Sequence, residues 1–191
     1  MTDLRTQRHA QTKAAIVDAA LRLFRAHGFG AVTMEQIAEA SGVSRRTVYR
    51  RFAGKDDIIL ELVGGWVTVW DECAAAMEGE PAGAVVEACC RAVAEYIDAT
   101  REDVLVAYGA LADSPVLAVA ATANEAWIRR FASLVTGAEP ALDDTEADVI
   151  AGAYMGAIDA VMRRWAASGG GLSVAAMIDV VITRLRPIWP T

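Results

Sequence analysis

The sequence predicts an all-α protein, with a three-helix helix-turn-helix head at the N-terminus, a C-terminal helical bundle after it, and about nine helices in total. Three observations carry that expectation. Hydrophobic residues make up 54% of the 191 positions, and they recur at three- and four-residue spacing with almost no strand-like alternation. Only 5 prolines interrupt the chain. The segment 33–55, TMEQIAEASGVSRRTVYRRFAGK, reads as two short helices around one tight turn.

The elements follow in order. A first helix is expected over residues 11–27, because Ile16, Ala19, Ala20, Leu23 and Phe24 fall on one face. Gly28 ends it and Phe29-Gly30 turns the chain. Thr33 then caps a second helix, with Gln36 completing a capping box and Ile37 and Ala38 facing inward. Gly42 supplies the turn, Ser44 caps the third helix, and Val43, Val48 and Phe52 dock it. The fourth helix starts after Gly54 and carries the stripe Ile59, Leu62, Trp66, Trp70, Cys73 and Met77 until Gly79-Glu80-Pro81 stops it.

Further helices are expected over 82–100, 102–112, 115–136, 145–167 and 174–186. Ser114-Pro115 opens one of them, Asp144 and Ser173 cap the last two, and Gly169-Gly170-Gly171 and Pro187 are stops. The glycine run lacks the preceding strand and following Lys-Ser/Thr of a phosphate cradle, so it reads as a helix-ending loop.

Charge divides the chain into two domains, 1–55 and 56–191. The first carries a net +6 and the second a net −13, within a total of −7 and a pI near 4.9. A basic head on an acidic body is what a protein needs when one end meets phosphates and the other repels them. No apolar run, the stretch 116–123 included, comes near the about 20 residues that span a bilayer. The polar start MTDLRTQRHAQTK lacks a signal-peptide core. Three cysteines without CxxC spacing fit the reduced thiols of a cytoplasm. The expectation is therefore a cytoplasmic protein with no membrane partner. Only His9 and His27 are present, so neither a Ser-His-Asp triad nor a metal cluster can be assembled, and no enzyme activity, metal or cofactor is expected.

Arginine type and position then suggest double-stranded DNA. Arg is the best reader of guanine through O6 and N7. Arg45 and Arg46 begin the third helix, with Thr47 beside them, and are the leading base contacts; Arg50 suits a base or a phosphate. Arg5, Arg8 and Lys13 suggest a flexible basic arm. Near the C-terminus, Gly152 and Gly156 are small residues four apart, beside a stripe of Tyr154, Val161 and Trp165. With Met177, Val181 and Leu185 of the last helix they suggest a four-helix interface between two copies. Two-fold symmetry is how such heads gain enough DNA contact.

The head resembles the DNA-binding signature of TetR-type transcriptional regulators. The matching residues are Thr33, Ile37-Ala38, Ser41-Gly42-Val43-Ser44, Thr47-Val48-Tyr49, Phe52, and Lys55-Asp56 with Ile58. Arg51 departs from the aromatic residue or His often found before the Phe. The resemblance implies that Thr33, Ser44, Tyr49, Arg51 and Lys55 contact phosphates. It also implies an effector pocket in the body, for which Trp66, Trp70, Cys89, Tyr96, Tyr108, Trp127, Phe131 and Met155 are candidate lining residues. Tyr154 and Asp159 would orient a ligand, although Asp159 can equally pair with Arg163. The expected protein is a homodimeric repressor on a palindromic operator, released by a small, mainly apolar effector. The alternative is a DNA-binding regulator without an effector, either constitutive or redox-sensing through Cys89 or Cys90.

Overall fold

The helical period persists throughout the computed structural model, which describes residues 4–113, 117–138 and 142–189. Among these residues there are nine α-helices, one final 3-10 turn and no strand. The helices are α1 Leu4–His27, α2 Met34–Ser41, α3 Arg45–Arg51, α4 Lys55–Ala76 and α5 Ala82–Ala99. They continue with α6 Arg101–Asp113, α7 Leu117–Ala138, α8 Asp144–Ala167 and α9 Val174–Leu185, and the 3-10 turn is Arg186–Ile188.

Most expected boundaries fall within a residue or two of these, and the exceptions have local causes. α1 begins at Leu4 rather than near residue 11, so the expected basic arm is helical instead. Its residues are good helix formers without a breaker, and Thr12 Oγ1 donates back to the Arg8 carbonyl at 2.8 Å. Lys13 is tied to Glu61 at 2.5 Å, while the side chain of Arg5 lies outside the described residues. α8 is capped by Asp143, not Asp144: Asp143 accepts from Glu146 N at 2.8 Å, and the Glu146 carboxylate accepts from Asp143 N at 3.0 Å. Asp144 becomes the first helical residue, where its charge still suits the helix dipole. Pro187 lies inside the 3-10 turn that follows α9. The Ser114-Pro115 cap lies outside the described residues. The glycine run does end α8, with Gly170 N–H bonding the Trp165 carbonyl at 3.1 Å.

Two compact units result, one formed by Met1–Val63 with Val106–Val116 and the other by Gly64–Leu105 with Leu117–Thr191. In the first, Ile16, Ala20, Phe24, Val32, Ile37, Val48, Phe52 and Ile58 form the core, and Ala107 and Ala110 of α6 complete it. A head of about 55 residues is small for its own core, and this borrowed stretch adds the missing apolar surface. The packing unit therefore extends beyond the motif that ends at Lys55. In the second unit α7 packs on α8, and α9 packs on both α5 and α8. Trp165, Tyr154 and Phe131 are its largest fully buried side chains.

Asp98 shows how the second unit is pinned. From α5, its carboxylate accepts from Ser173 Oγ at 2.7 Å, Val174 N at 2.8 Å and Ala175 N at 3.1 Å. It thus caps α9 from outside, together with the Ser173 hydroxyl, which accepts from Ala176 N at 3.2 Å. Burial alone would raise the Asp98 carboxyl, but these hydrogen bonds and the Arg101 charge together hold it below the ordinary value.

Candidate nucleic-acid interface

The turn between α2 and α3 is built from the sequence outward. Thr33 Oγ1 accepts from Gln36 N at 3.2 Å, and Thr33 N donates to Gln36 Oε1 at 2.8 Å, so both halves of the capping box are formed. α2 ends at Gly42, whose φ of 68° is a left-handed conformation open to glycine at no steric cost. Val43 N then bonds the Ala38 carbonyl at 3.2 Å, locking the exit angle. Ser44 Oγ accepts from Thr47 N at 3.3 Å and donates to Thr47 Oγ1 at 3.0 Å. Ser44 is therefore the α3 cap, and Thr47 keeps its own hydroxyl proton for another partner.

Within α3 only Val48 is buried, and Phe52 just beyond it is 3% exposed. That apolar pair seats the helix. Arg45, Arg46, Tyr49 and Arg50 are exposed, while Thr47 and Arg51 are half-buried. All four expected base-contact residues thus belong to one seven-residue helix held at both ends. The Nε of Arg51 is buried without a partner among the described residues, so this side chain lies partly in the packing. Lys55 is more committed still. Its Nζ donates to the Phe29 carbonyl at 2.7 Å and the Gly30 carbonyl at 3.4 Å, and stands 4.6 Å from the centre of the Phe29 ring. It fastens the α1–α2 turn, whatever else it touches.

One polar partner was not expected from sequence. Glu35, in the first turn of α2, accepts a hydrogen bond from Tyr49 Oη at 3.0 Å. The backbone hydrogen bond at Glu35 itself, then the Tyr49 hydroxyl and, more weakly, the Arg45 charge, hold its carboxyl below the ordinary value. The same bond pushes the Tyr49 phenol up. The pair spans fourteen residues and two helices, so no local spacing signals it.

The candidate effector residues are distributed differently. Trp70, Trp127 and Phe131 do come together: Trp70 meets Trp127 edge-on at 5.7 Å and Phe131 at 4.3 Å between ring centres. The stack continues from Phe131 to Tyr154 at 6.0 Å and on to Trp189 at 6.1 Å, with Trp189 Nε1 donating to Tyr154 Oη at 3.1 Å. Cys89 is fully buried, and its thiol points at the Trp70 carbonyl at 3.7 Å. Trp66 keeps a buried indole N–H with no partner among the described residues. Tyr96 presses against α4, where a Cβ on Gly65 would come within 2.7 Å of its hydroxyl. Met155 is 8% exposed. Asp159 is ion-paired with Arg163, and Tyr108 belongs to the first unit. A separate groove of about 350 Å³ opens beside Leu142, Val149, Ile150, Ile188 and Trp189. Burial pushes the thiols of Cys89 and Cys90 upward, that of Cys90 to about 12.

On α8 the expected interface stripe divides in two. Tyr154 and Trp165 are fully buried within the chain itself, because α8 turns that face to α7 and α9. Gly152 and Gly156 are exposed, and Val149 beside them is 65% exposed. Across on α9, Val180 is 60% exposed, while Met177, Val181 and Leu185, like Val161 of α8, are half-buried.

A capped pair of short helices, one buried valine seating the second, and arginines left outside form a helix-turn-helix, the motif that DNA-binding heads use. Residues 16–62 match the family model "Bacterial regulatory proteins, tetR family". The head of the chain is thus similar to the DNA-binding domain of TetR-family regulators. It is 38% identical over 80 residues to the HTH-type transcriptional regulator TcmR of Streptomyces glaucescens, covering 42% of this chain and 34% of that protein. To the regulator TtgR of Pseudomonas putida it is 36% identical over 77 residues, covering 40% and 37%. The chain thus spans little more than a third of either relative. The likeness of fold is wider. The fatty acid degradation regulator FadR from Bacillus halodurans superimposes with a TM-score of 0.70 at 18% identity, over 91% of this chain and 94% of that one. FadR from Thermus thermophilus, a TetR-family repressor in complex with lauroyl-CoA, gives 0.62 at 23% identity, over 94% and 95%.

Proposed function

We propose that this chain is a ligand-responsive repressor. Two copies set their α3 helices into successive major grooves of a palindromic operator, and release it when the body takes up a small, mainly apolar effector. The observation that carries the reading is the set of exposed arginines on a helix fixed by Val48 and by caps at both ends. Arg45 and Arg46 read bases at the start of α3, with Thr47 and Arg50 beside them. Thr33, Ser44, Tyr49 and Arg51 meet phosphates, and Lys55 holds the turn that presents them.

The second copy is supported by the apolar and small residues left outside on α8 and α9, from Val149 through Gly152 and Gly156 to Val180. The apolar effector is supported by the aromatic stack of the second unit, which offers few charges. Similar folds were captured with lauroyl-CoA and stearoyl-CoA, each carrying a long apolar chain. An effector that fits only one spacing of the paired heads weakens DNA binding by the factor with which DNA weakens effector binding. Redox sensing through Cys89 or Cys90 draws no support from their surroundings, since burial disfavours the reactive thiolate.

Selecting bound duplexes from a random pool tests this reading. The expected product is an inverted repeat with half-site centres about 10 base pairs apart, or a multiple of that. A metabolite screen for release from that product then identifies the effector. A chain that stays monomeric at micromolar concentration, or a product without two-fold symmetry, would overturn the dimeric reading.

A further inference from the structure

We propose that Glu35 is an affinity-limiting residue of the DNA-binding face, holding Tyr49 away from the phosphate backbone until DNA displaces it. The proposal rests on the reading of α3 as the DNA-contacting helix. A phenol has one proton to donate. In the free protein that proton goes to the Glu35 carboxylate at 3.0 Å, on a surface where Tyr49 is 47% exposed. A phosphate oxygen is likewise an acceptor only, so carboxylate and phosphate compete for the same hydroxyl. Tyr49 cannot serve both.

Charge acts in the same direction. Glu35 is the acid in the first turn of α2, and the Arg45 charge is felt by both Glu35 and Tyr49. A fixed anion beside a leading base reader partly neutralises it, and it repels the strand that Arg45 must approach. Every duplex meets this cost equally, because the phosphate backbone is the same in all of them. Glu35 therefore lowers affinity for DNA as a whole. The ratio of affinities between right and wrong sequences stays the same, but at a given concentration fewer wrong sequences hold the chain. The pair is exposed and contributes little to folding, so its removal leaves the head intact.

The test uses the full chain and two probes: a duplex of random sequence, and the sequence selected by the unsubstituted protein. Glu35→Gln keeps the shape of the side chain but removes its charge. It should tighten binding to both probes by about fivefold, because the repelling charge is gone and the bond that Tyr49 gives up becomes a weaker, neutral one. In a Tyr49→Phe background the gain should shrink, because the contested hydroxyl is gone. Thermal unfolding of the variants should match that of the parent. Unchanged or weaker binding by Glu35→Gln would overturn the inference while leaving the regulator reading intact. A gain confined to one selected base would also overturn it, since Glu35 would then be reading a base. If the unsubstituted chain holds neither probe, the regulator reading fails and this inference fails with it.

Discussion

α3 and α8 handle their side chains in opposite ways. α3 buries one of its seven residues, Val48, and leaves Arg45, Arg46, Tyr49 and Arg50 in solvent. α8 buries seven, including Tyr154, Met155 and Trp165, and leaves outside charged residues at its two ends with Val149, Gly152, Gly156 and Ala160 between them. An exposed arginine is excused from packing, so its chemistry is the best guide to its task. A buried tryptophan satisfies the core whether or not a ligand ever touches it. The head therefore declares its role by residue type, and the body conceals its own in ordinary packing.

Substitutions can break or sharpen that contrast. The largest effect is expected from Trp165→Ala, which should cost about 3–5 kcal/mol of stability in urea unfolding, whereas Arg46→Ala should stay within about 0.5 kcal/mol. Comparable losses from both would mean that α3 also packs, and the contrast would collapse. Next comes Arg45→Ala, expected to cost about 1–3 kcal/mol of binding at one base pair only, read by competition among operator variants. An even loss across all sequences would move Arg45 from base to backbone.

Asp98→Ala should remove about 1 kcal/mol of stability at neutral pH through loss of the α9 cap. The folded carboxyl is held below its ordinary value, so the cap acts above the unfolded pKa and fades as pH falls through the folded one. The gap between parent and variant should therefore close in acid, and a gap that persists there would point to packing instead. The smallest effect, below about 1 kcal/mol, is expected from Lys55→Ala, which should weaken all duplexes alike. A salt slope lower by about 1 would show that Lys55 also meets a phosphate, and an unchanged slope would leave it as a fastener of the Phe29 turn alone.

What was legible in the chain was mainly local. The Thr33–Gln36 box, the Ser44 and Ser173 caps and the Gly42 turn all lie within four residues of their partners. Asp143 and Asp144 were harder to separate, since either acid can cap. The choice fell where Ala147 could be fully buried. Long-range pairs left no such trace: Asp98 reaches α9 across 75 residues or more, and Lys55 reaches Phe29 across 26. Tyr154 and Trp165 show a further limit. Periodicity groups them on one face of α8, but it does not say whether that face meets the chain's own α7 and α9 or a second copy.

The single valine anchor of α3 also bears on how such a protein changes over generations. Because Val48 and the following Phe52 are the buried side chains that seat the helix, its exposed positions can be rewritten without disturbing the core. A lineage carrying this head can exchange one set of target sites for another through a few surface codons, while the scaffold that presents them is inherited unaltered.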